Sequence, residues 1–298
     1  MRRQLFADFA LLVVSAIWGA TFVMVKDAIS AFPVFAFLFL RFSVATLSLL
    51  PVRPLLERRF AVLRGRQHGW ERDSWLMGGI LGVVLVLGYG FQTTGLQHTT
   101  PAKAGFITGL YVVIVPILTS MFTRRVPDPP LWIGVSLATV GLMILSLNRT
   151  LRPELGDLLV FFCAISFALH IVITGYLAPG HGPLALTLSQ LATTAILSGI
   201  ISRVWEWPWP AMNPSMIVAA IFTGVFASTL AIAIQTIAQR FTSPTHTALI
   251  FSLEPVFAAL FSFLLAREPI TGRVVLGGTL ILAGTLIAEI VPMMRGRG

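Results

Sequence analysis

Charged residues are scarce in this sequence. Only 11% of the 298 residues are Asp, Glu, Lys or Arg, whereas soluble domains carry about 25%. Hydrophobic residues make up 56% of the chain, and the mean hydropathy is +0.87. A chain with so few charged side chains does not have enough of them to cover the surface of a soluble fold. The composition therefore excludes an ordinary soluble domain and predicts an integral membrane protein.

Clusters of catalytic or metal-binding residue types are also missing. The only cysteine, Cys163, lies inside an apolar segment, which excludes a disulfide framework and a cysteine metal site. A membrane-embedded enzyme would need grouped catalytic side chains, and no acidic pair has the spacing of a metal site. We therefore expect no enzymatic activity, no metal and no cofactor. The histidines are scattered, at His68, His98, His170, His181 and His246.

Acidic residues are outnumbered by basic ones, and the net charge is +9. The arginines lie in short loops between apolar runs and never gather on one amphipathic face, so no nucleic-acid partner is expected. With the N-terminus placed inside, 13 arginines fall in cytoplasmic segments, and 7 lysines or arginines fall on the opposite face. This bias predicts that both termini are cytoplasmic.

Apolar runs of about 17–25 residues, long enough to cross the ~30 Å hydrocarbon core, recur along the chain. They predict an all-α polytopic membrane protein with ten transmembrane helices. The runs lie near residues 5–28, 32–52, 74–97, 101–122, 131–148, 156–178, 183–204, 214–239, 243–266 and 271–292.

The two halves of the chain resemble each other. A shift of 143 positions without insertions aligns residues across the last elements of both halves, which indicates duplication. The first run pairs with 156–178, so that Asp8 matches Asp157 and Trp18–Gly19 matches Phe167–Ala168. The shift of 143 places Gln235 on Gln92, Thr242 on Thr99, Pro244 on Pro101, Leu253 on Leu110, Arg267 on Arg124, Gly277 on Gly134 and Gly284 on Gly141.

Five helices per half is an odd number, so the second half must enter the membrane upside down. We therefore predict two inverted five-helix repeats with the working site at their interface, near the midplane. The predicted boundaries are 1–148 for the first repeat, 149–155 for the linker, 156–292 for the second repeat and 293–298 for a cytoplasmic tail.

Glu254 is an acidic residue at the centre of an apolar span, and Pro255 follows it directly. Proline has no N–H, so it frees the carbonyl of Phe251 and predicts a kinked helix that offers a carboxyl and a free carbonyl. Charge at this depth is costly. We predict substrate binding or coupling at Glu254; the alternative is a side chain bonded to a neighbouring helix purely for packing. Its equivalent in the first half is Tyr111.

Arg41 is the second charge at midplane depth. It lies too deep to reach the interface easily, so it should bond to a carboxylate or to carbonyls. Pairing with Glu254 is one interpretation. The favoured interpretation is a structural charge.

Polar side chains recur at helical spacing on the third, sixth and eighth runs, as a shared polar cavity requires. The alternative is hydrogen bonding between helices, and for the mid-span Trp18 it is apolar packing. The glycine pairs Gly78/Gly82 and Gly105/Gly109 are spaced for close helix approach. The predicted substrate contacts are Trp18, Tyr89, Gln92, Tyr111, His170, Gln235 and Glu254.

Several motifs together resemble the EamA-type permeases of the drug/metabolite transporter superfamily. They are Trp18–Gly19 followed by Lys26 and Arg41, the Ser252–Phe257 stretch SLEPVF, Arg267-Glu-Pro269, and Gly277 with Gly284. The resemblance implies a bacterial inner-membrane carrier that moves small metabolites by alternating access, often outward. The small four-helix multidrug relatives use a glutamate in the first helix for proton coupling, and this chain has no acid between Phe9 and Val25. Coupling would therefore fall to Glu254.

These observations together predict a secondary transporter for a small metabolite, an amino acid or a drug-like compound, working by export. The cavity should be lined by the first, third, fourth, sixth, eighth and ninth predicted helices. The expected partners are the substrate and the lipid bilayer, with the protein a monomer or a homodimer. A passive channel and a membrane-embedded enzyme are the alternatives.

Overall fold

The computed structural model describes residues 2–30, 32–59, 70–99, 101–124, 128–146, 154–266 and 271–294. Every regular element in these ranges is helical, which confirms the predicted all-α class. Most of the predicted linker 149–155, and residues 295–298 of the predicted tail, lie outside the described residues. The α-helices are α1 (Arg2–Ser30), α2 (Val34–Arg59), α3 (Trp70–Gln97), α4 (Pro101–Gly109), α5 (Tyr111–Thr123), α6 (Pro129–Ser146), α7 (Leu155–Leu177), α8 (Pro183–Trp205), α9 (Pro214–Phe222), α10 (Ala231–Ala238), α11 (Pro244–Phe251), α12 (Glu254–Ala266) and α13 (Gly272–Met294).

The helices match the dimensions of a bilayer. Within the described ranges, eight helical stretches are long and apolar enough to cross a membrane. Shorter apolar helices, Pro129–Ile144 and Gly272–Ala288, occupy the fifth and tenth predicted positions. The protein is therefore a multi-pass membrane protein with eight candidate spans.

Two predicted spans are broken near their middle, and the breaks match across the repeat. α4 ends at Gly109 and α5 begins at Tyr111, while α11 ends at Phe251 and α12 begins at Glu254. At both breaks a leucine N–H bonds three residues back over 3.1 Å, from Leu110 to the carbonyl of Ile107 and from Leu253 to the carbonyl of Ile250. The kink predicted at Glu254 is confirmed, and the break before Tyr111 is an addition to the prediction.

The eighth predicted span contains a π-helical segment, Thr223–Leu230, between α9 and α10. Such segments in longer helices are frequent at functional sites. This one packs closely on α2, because a methyl group on Gly224 would lie 2.7 Å from the carbonyl oxygen of Arg41. The span predicted over 214–239 is present as Pro214–Ala238, and the π-helical segment at its centre is a feature that the prediction did not include.

α6 and α13 approach each other through glycines. A methyl group on Gly134 would lie 2.5 Å from the oxygen of Gly284, and one on Gly141 would lie 2.6 Å from the oxygen of Gly277. The 143-residue shift relates Gly277 to Gly134 and Gly284 to Gly141. The contact is therefore reciprocal, as it is across a two-fold axis.

The predicted glycine pairs behave differently from each other. A methyl group on Gly78 or Gly82 would meet a backbone oxygen of α8 at 2.7 Å, which confirms close approach there. For Gly105 the prediction is wrong, since no neighbouring atom lies within 4 Å of an added methyl group. Gly109 meets only the side chain of Leu142. Spacing alone cannot tell which helix face has a neighbour.

We expect Gly134→Ala to lower the melting temperature in detergent, because the added methyl must separate α6 from α13. Overpacking of this kind costs about 1–3 kcal/mol. Gly105→Ala is the matched control and should be neutral or slightly stabilising, since alanine is the better helix former. Equal melting temperatures for the two variants would contradict the close α6–α13 contact.

Candidate functional site

A cavity with mainly apolar walls and several polar side chains lies among the broken helices. Its empty volume is about 680 Å³, a figure that includes open solvent at its mouth. Its lining brings together every side chain that the sequence pattern singled out as a substrate contact, although they come from distant parts of the chain. They are Trp18, Tyr89, Gln92, Tyr111, His170, Gln235 and Glu254, and Arg41 joins them.

The prediction missed several lining residues, among them Thr21, Thr108, Phe167 and Phe251. Phe167 could have been found, because the repeat pairs it with Trp18. Phe251 precedes the break before Glu254 and packs edge-to-face on Trp18, with ring centroids 4.8 Å apart. The aromatic lining is therefore more extensive than predicted.

Glu254 is the first residue of α12, where the helix dipole favours negative charge. It is 9% exposed, and no hydrogen bond or ion pair from the described residues reaches its carboxylate. Its backbone oxygen packs on α1, since a methyl group on Gly19 would lie 2.7 Å away. The cavity therefore contains a buried carboxylate without a protein partner in the described part of the chain.

Arg41 is bound by groups other than Glu254. Its Nε donates to Ser228 Oγ over 2.8 Å, and its Nη2 lies 3.5 Å from the carbonyl oxygen of Ala227. The guanidinium also lies 4.7 Å from the ring centroid of Tyr89. The structure does not show the alternative interpretation, a pairing with Glu254, because the π-helical segment supplies acceptors to this cation.

Trp18 bonds to the same peptide group as Arg41. Its Nε1 donates to the carbonyl oxygen of Ala227 over 2.8 Å. Tyr89 packs edge-to-face on Phe42 and on Phe167, each with ring centroids 5.1 Å apart. α1 and α2 thus hold the π-helical segment, and α1 and α3 present aromatic rings to the cavity.

Both cavity glutamines are anchored through their amide nitrogens. Gln92 Nε2 donates to Thr108 Oγ1 over 3.3 Å. Gln235 Nε2 donates to Gln239 Oε1 over 3.2 Å, and Gln239 Nε2 donates to the carbonyl of Ile171 over 2.9 Å. These bonds fix the direction of each amide. They leave both carbonyl oxygens without a partner among the residues that the structure covers.

His170 begins a hydrogen-bonded chain that leads away from the cavity. Its Nε2 lies 2.7 Å from Gln190 Oε1, and Gln190 Nε2 donates to Thr236 Oγ1 over 3.4 Å. An amide oxygen only accepts, so Nε2 carries the proton. In the neutral imidazole, Nδ1 is then an acceptor.

No group of three or more His, Cys, Asp or Glu within the described ranges could hold a metal ion. The lining of this cavity combines one carboxyl group, one guanidinium, two amides, a histidine, two threonine hydroxyls and several aromatic and aliphatic side chains.

Comparison with known proteins shows which family this chain resembles. The sequence profile of the EamA-like transporter family matches the chain twice, over residues 5–147 and 154–289. An uncharacterized transporter of Archaeoglobus fulgidus is 34% identical over 289 residues, covering 97% of this chain and 87% of that protein. The uncharacterized inner membrane transporter YedA of Escherichia coli is 25% identical, covering 90% of this chain and 86% of its own.

A solved crystal structure shares the fold. Its TM-score is 0.75 at 18% identity, and the match covers 96% of this chain and 97% of that one. The resemblance predicted from the motifs is thus confirmed over nearly the whole chain. The chain belongs to the EamA-like transporter family.

Proposed function

We propose that this protein is a secondary transporter that moves a small metabolite across the bacterial inner membrane by alternating access, in the direction of export. The observation that supports this proposal most directly is the cavity at the two broken helices, which is lined by all the predicted substrate contacts. Discontinuous helices at the midplane are a common way for carriers to build a substrate site. The relatives support the general role, since they are named transporters.

The proposed architecture has ten spans in two inverted repeats, 1–148 and 156–292, with a linker at 149–155, a tail at 293–298 and both termini cytoplasmic. The family profile matches twice, in support of duplication. The matching breaks at Leu110 and Leu253, and the reciprocal contact between α6 and α13, support a two-fold relation between the halves.

One threonine–aspartate pair occurs in both halves of the sequence, and its hydrogen bonding differs between the two copies. Thr99 Oγ1 donates to Asp157 Oδ1 over 2.6 Å. The repeat equivalents, Asp8 and Thr242, lie beside each other, and their side-chain oxygens are shielded from solvent without forming a hydrogen bond of standard geometry within the described residues. Such inequivalence agrees with a carrier held in one of two states, which a substrate shifts by binding one state better.

Glu254 is the proposed coupling residue. It and Tyr111 are repeat equivalents, each opens the second half of a broken helix, and both line the cavity. Of the two residues, only Glu254 carries a carboxyl group. A change in its protonation would alter the charge of the site directly.

The test starts from a thermal-shift screen of the full chain in detergent against amino acids, amines, nucleosides and common drugs. A ligand that binds only the folded protein raises its melting temperature. Uptake of the best ligand is then measured in proteoliposomes. Accumulation against a gradient that an uncoupler abolishes supports a carrier, equilibration alone supports a channel, and chemical turnover supports an enzyme.

Gln92→Ala and Gln235→Ala are each expected to weaken binding of that ligand by roughly 3- to 10-fold, the typical worth of one neutral hydrogen bond. Gln97→Ala is the matched control, because Gln97 lies exposed at the end of α3. Unchanged binding in both cavity variants would remove the glutamines from the site.

A further inference from the structure

The cavity offers mainly acceptors to a ligand. Glu254 presents a carboxylate that no described residue pairs. Gln92 and Gln235 each donate a hydrogen bond through the amide nitrogen, so their carbonyl oxygens remain available to accept a hydrogen bond from a ligand. His170 donates through Nε2 to Gln190, so its neutral ring offers Nδ1. The ligand that satisfies such a set is rich in N–H donors.

The one cation of the lining is already engaged. Arg41 is 3% exposed, and it bonds to Ser228 Oγ at 2.8 Å and lies 4.7 Å from the ring centroid of Tyr89. Its Nη2 lies 3.5 Å from the carbonyl oxygen of Ala227. These contacts hold Arg41 in place, whereas no described residue pairs with the carboxyl group of Glu254, so a cationic ligand would supply the partner that this group lacks.

Aromatic rings surround these acceptors. Trp18, Tyr89, Tyr111, Phe167 and Phe251 all line the cavity. Their faces attract a desolvated cation, and their area favours an apolar body.

We propose that the substrate is a protonated primary amine with a ring-sized apolar body and no carboxylate. The ammonium group donates to Glu254 and to the glutamine oxygens, and the body packs on the rings. An amino acid is disfavoured, because its carboxylate would lie near Glu254 while the cation that could bind it is held by Ser228 and Ala227. This proposal rests on the proposed transport function and narrows its substrate class.

The experiment compares ligands that differ only in charged groups. Binding of 2-phenylethylamine, L-phenylalanine and 3-phenylpropionate to the full chain in detergent is measured by titration calorimetry at neutral pH. The amine is protonated there, as a lysine side chain is. We expect 2-phenylethylamine to bind at least roughly tenfold more tightly than either carboxylate, which is the scale of one charged hydrogen bond.

Glu254→Gln tests the contact itself, because it keeps the shape and removes the charge. We expect 2-phenylethylamine to bind the variant roughly 10- to 100-fold more weakly. Glu57→Gln is the matched control and should bind as the wild type, since Glu57 pairs with Arg53 away from the cavity. Size-exclusion chromatography and circular dichroism establish that each variant is folded.

Three outcomes overturn the amine assignment: stronger binding of L-phenylalanine or 3-phenylpropionate, binding of none of the three, and unchanged amine binding by Glu254→Gln. The transport proposal is judged separately, by uncoupler-sensitive accumulation of any compound from the broader screen. A protein that accumulates an amino acid but not the amine would retain the carrier function and lose the amine assignment.

Discussion

Gly19→Leu is expected to abolish transport and to lower the melting temperature by several degrees. Any side chain at Gly19 would collide with α12, since a methyl group would lie 2.7 Å from the oxygen of Glu254 and 2.8 Å from the nitrogen of Ala258. Both are backbone atoms that move only if the helix moves. Overpacking costs about 1–3 kcal/mol. The segment that would be displaced here includes Glu254, which lines the cavity.

The measurement is uptake in proteoliposomes together with thermal unfolding in detergent. Gly19→Ala should show a smaller loss of the same kind, which relates the effect to side-chain volume. Gly105→Ala serves as the control for Gly19→Ala, because no atom of the described residues lies within 4 Å of a methyl group at Gly105. Wild-type uptake by Gly19→Leu would show that α1 and α12 separate without consequence, and would refute the role given to this contact.

Arg41→Met is expected to give the second large effect, a loss of stability of about 1–3 kcal/mol. The guanidinium is the partner of Ser228 Oγ, which is fully buried and makes no other hydrogen bond within the described residues. Its removal leaves that hydroxyl unsatisfied in a low-dielectric environment. The π-helical segment then loses the bond from Arg41 and keeps the Trp18 bond to Ala227 and the bond from Thr229 Oγ1 to the carbonyl of Ala45.

A double-mutant cycle separates this contact from general damage. Ser228→Ala in the Arg41→Met background removes the unsatisfied hydroxyl, so the double variant should be less destabilised than the sum of the single variants. Arg53→Met is the control, since Arg53 belongs to a half-exposed pair with Glu57 that contributes about 1 kcal/mol or less. Additive effects in the cycle would mean that Arg41 stabilises the protein by other contacts.

Glu254 and its repeat equivalent, Tyr111, show which helix breaks can be predicted from neighbouring residues in the sequence. Pro255 lacks an N–H, so the break before α12 follows from chemistry visible in the sequence. The break before Tyr111 has no such mark, because Pro116 lies inside α5, beyond the break. The first break is therefore local in origin, and the second becomes visible only when the two halves are aligned and the hydrogen bonds of Leu110 and Leu253 are compared.

Arg41 shows what depth alone cannot decide. Its position in an apolar span predicts a buried cation that needs acceptors. Which acceptors it finds depends on the rotation of α2 against its neighbours, and the structure supplies Ser228 and Ala227 instead of Glu254. The π-helical segment has the same origin, since Trp18 and Arg41 from other helices both bond to the Ala227 carbonyl.

The sequence by itself determined the membrane class and predicted the side chains that share the cavity. Hydropathy sets which runs can enter the bilayer, and helical spacing together with the similarity of the two halves selects Gln92, Gln235 and Glu254. Only the tertiary structure decided which groups pair, which glycines touch and which oxygens remain open. These outcomes depend on the rotation of each helix about its axis and on atoms from helices that are distant in the sequence. A pattern of residues along the chain contains no information about either.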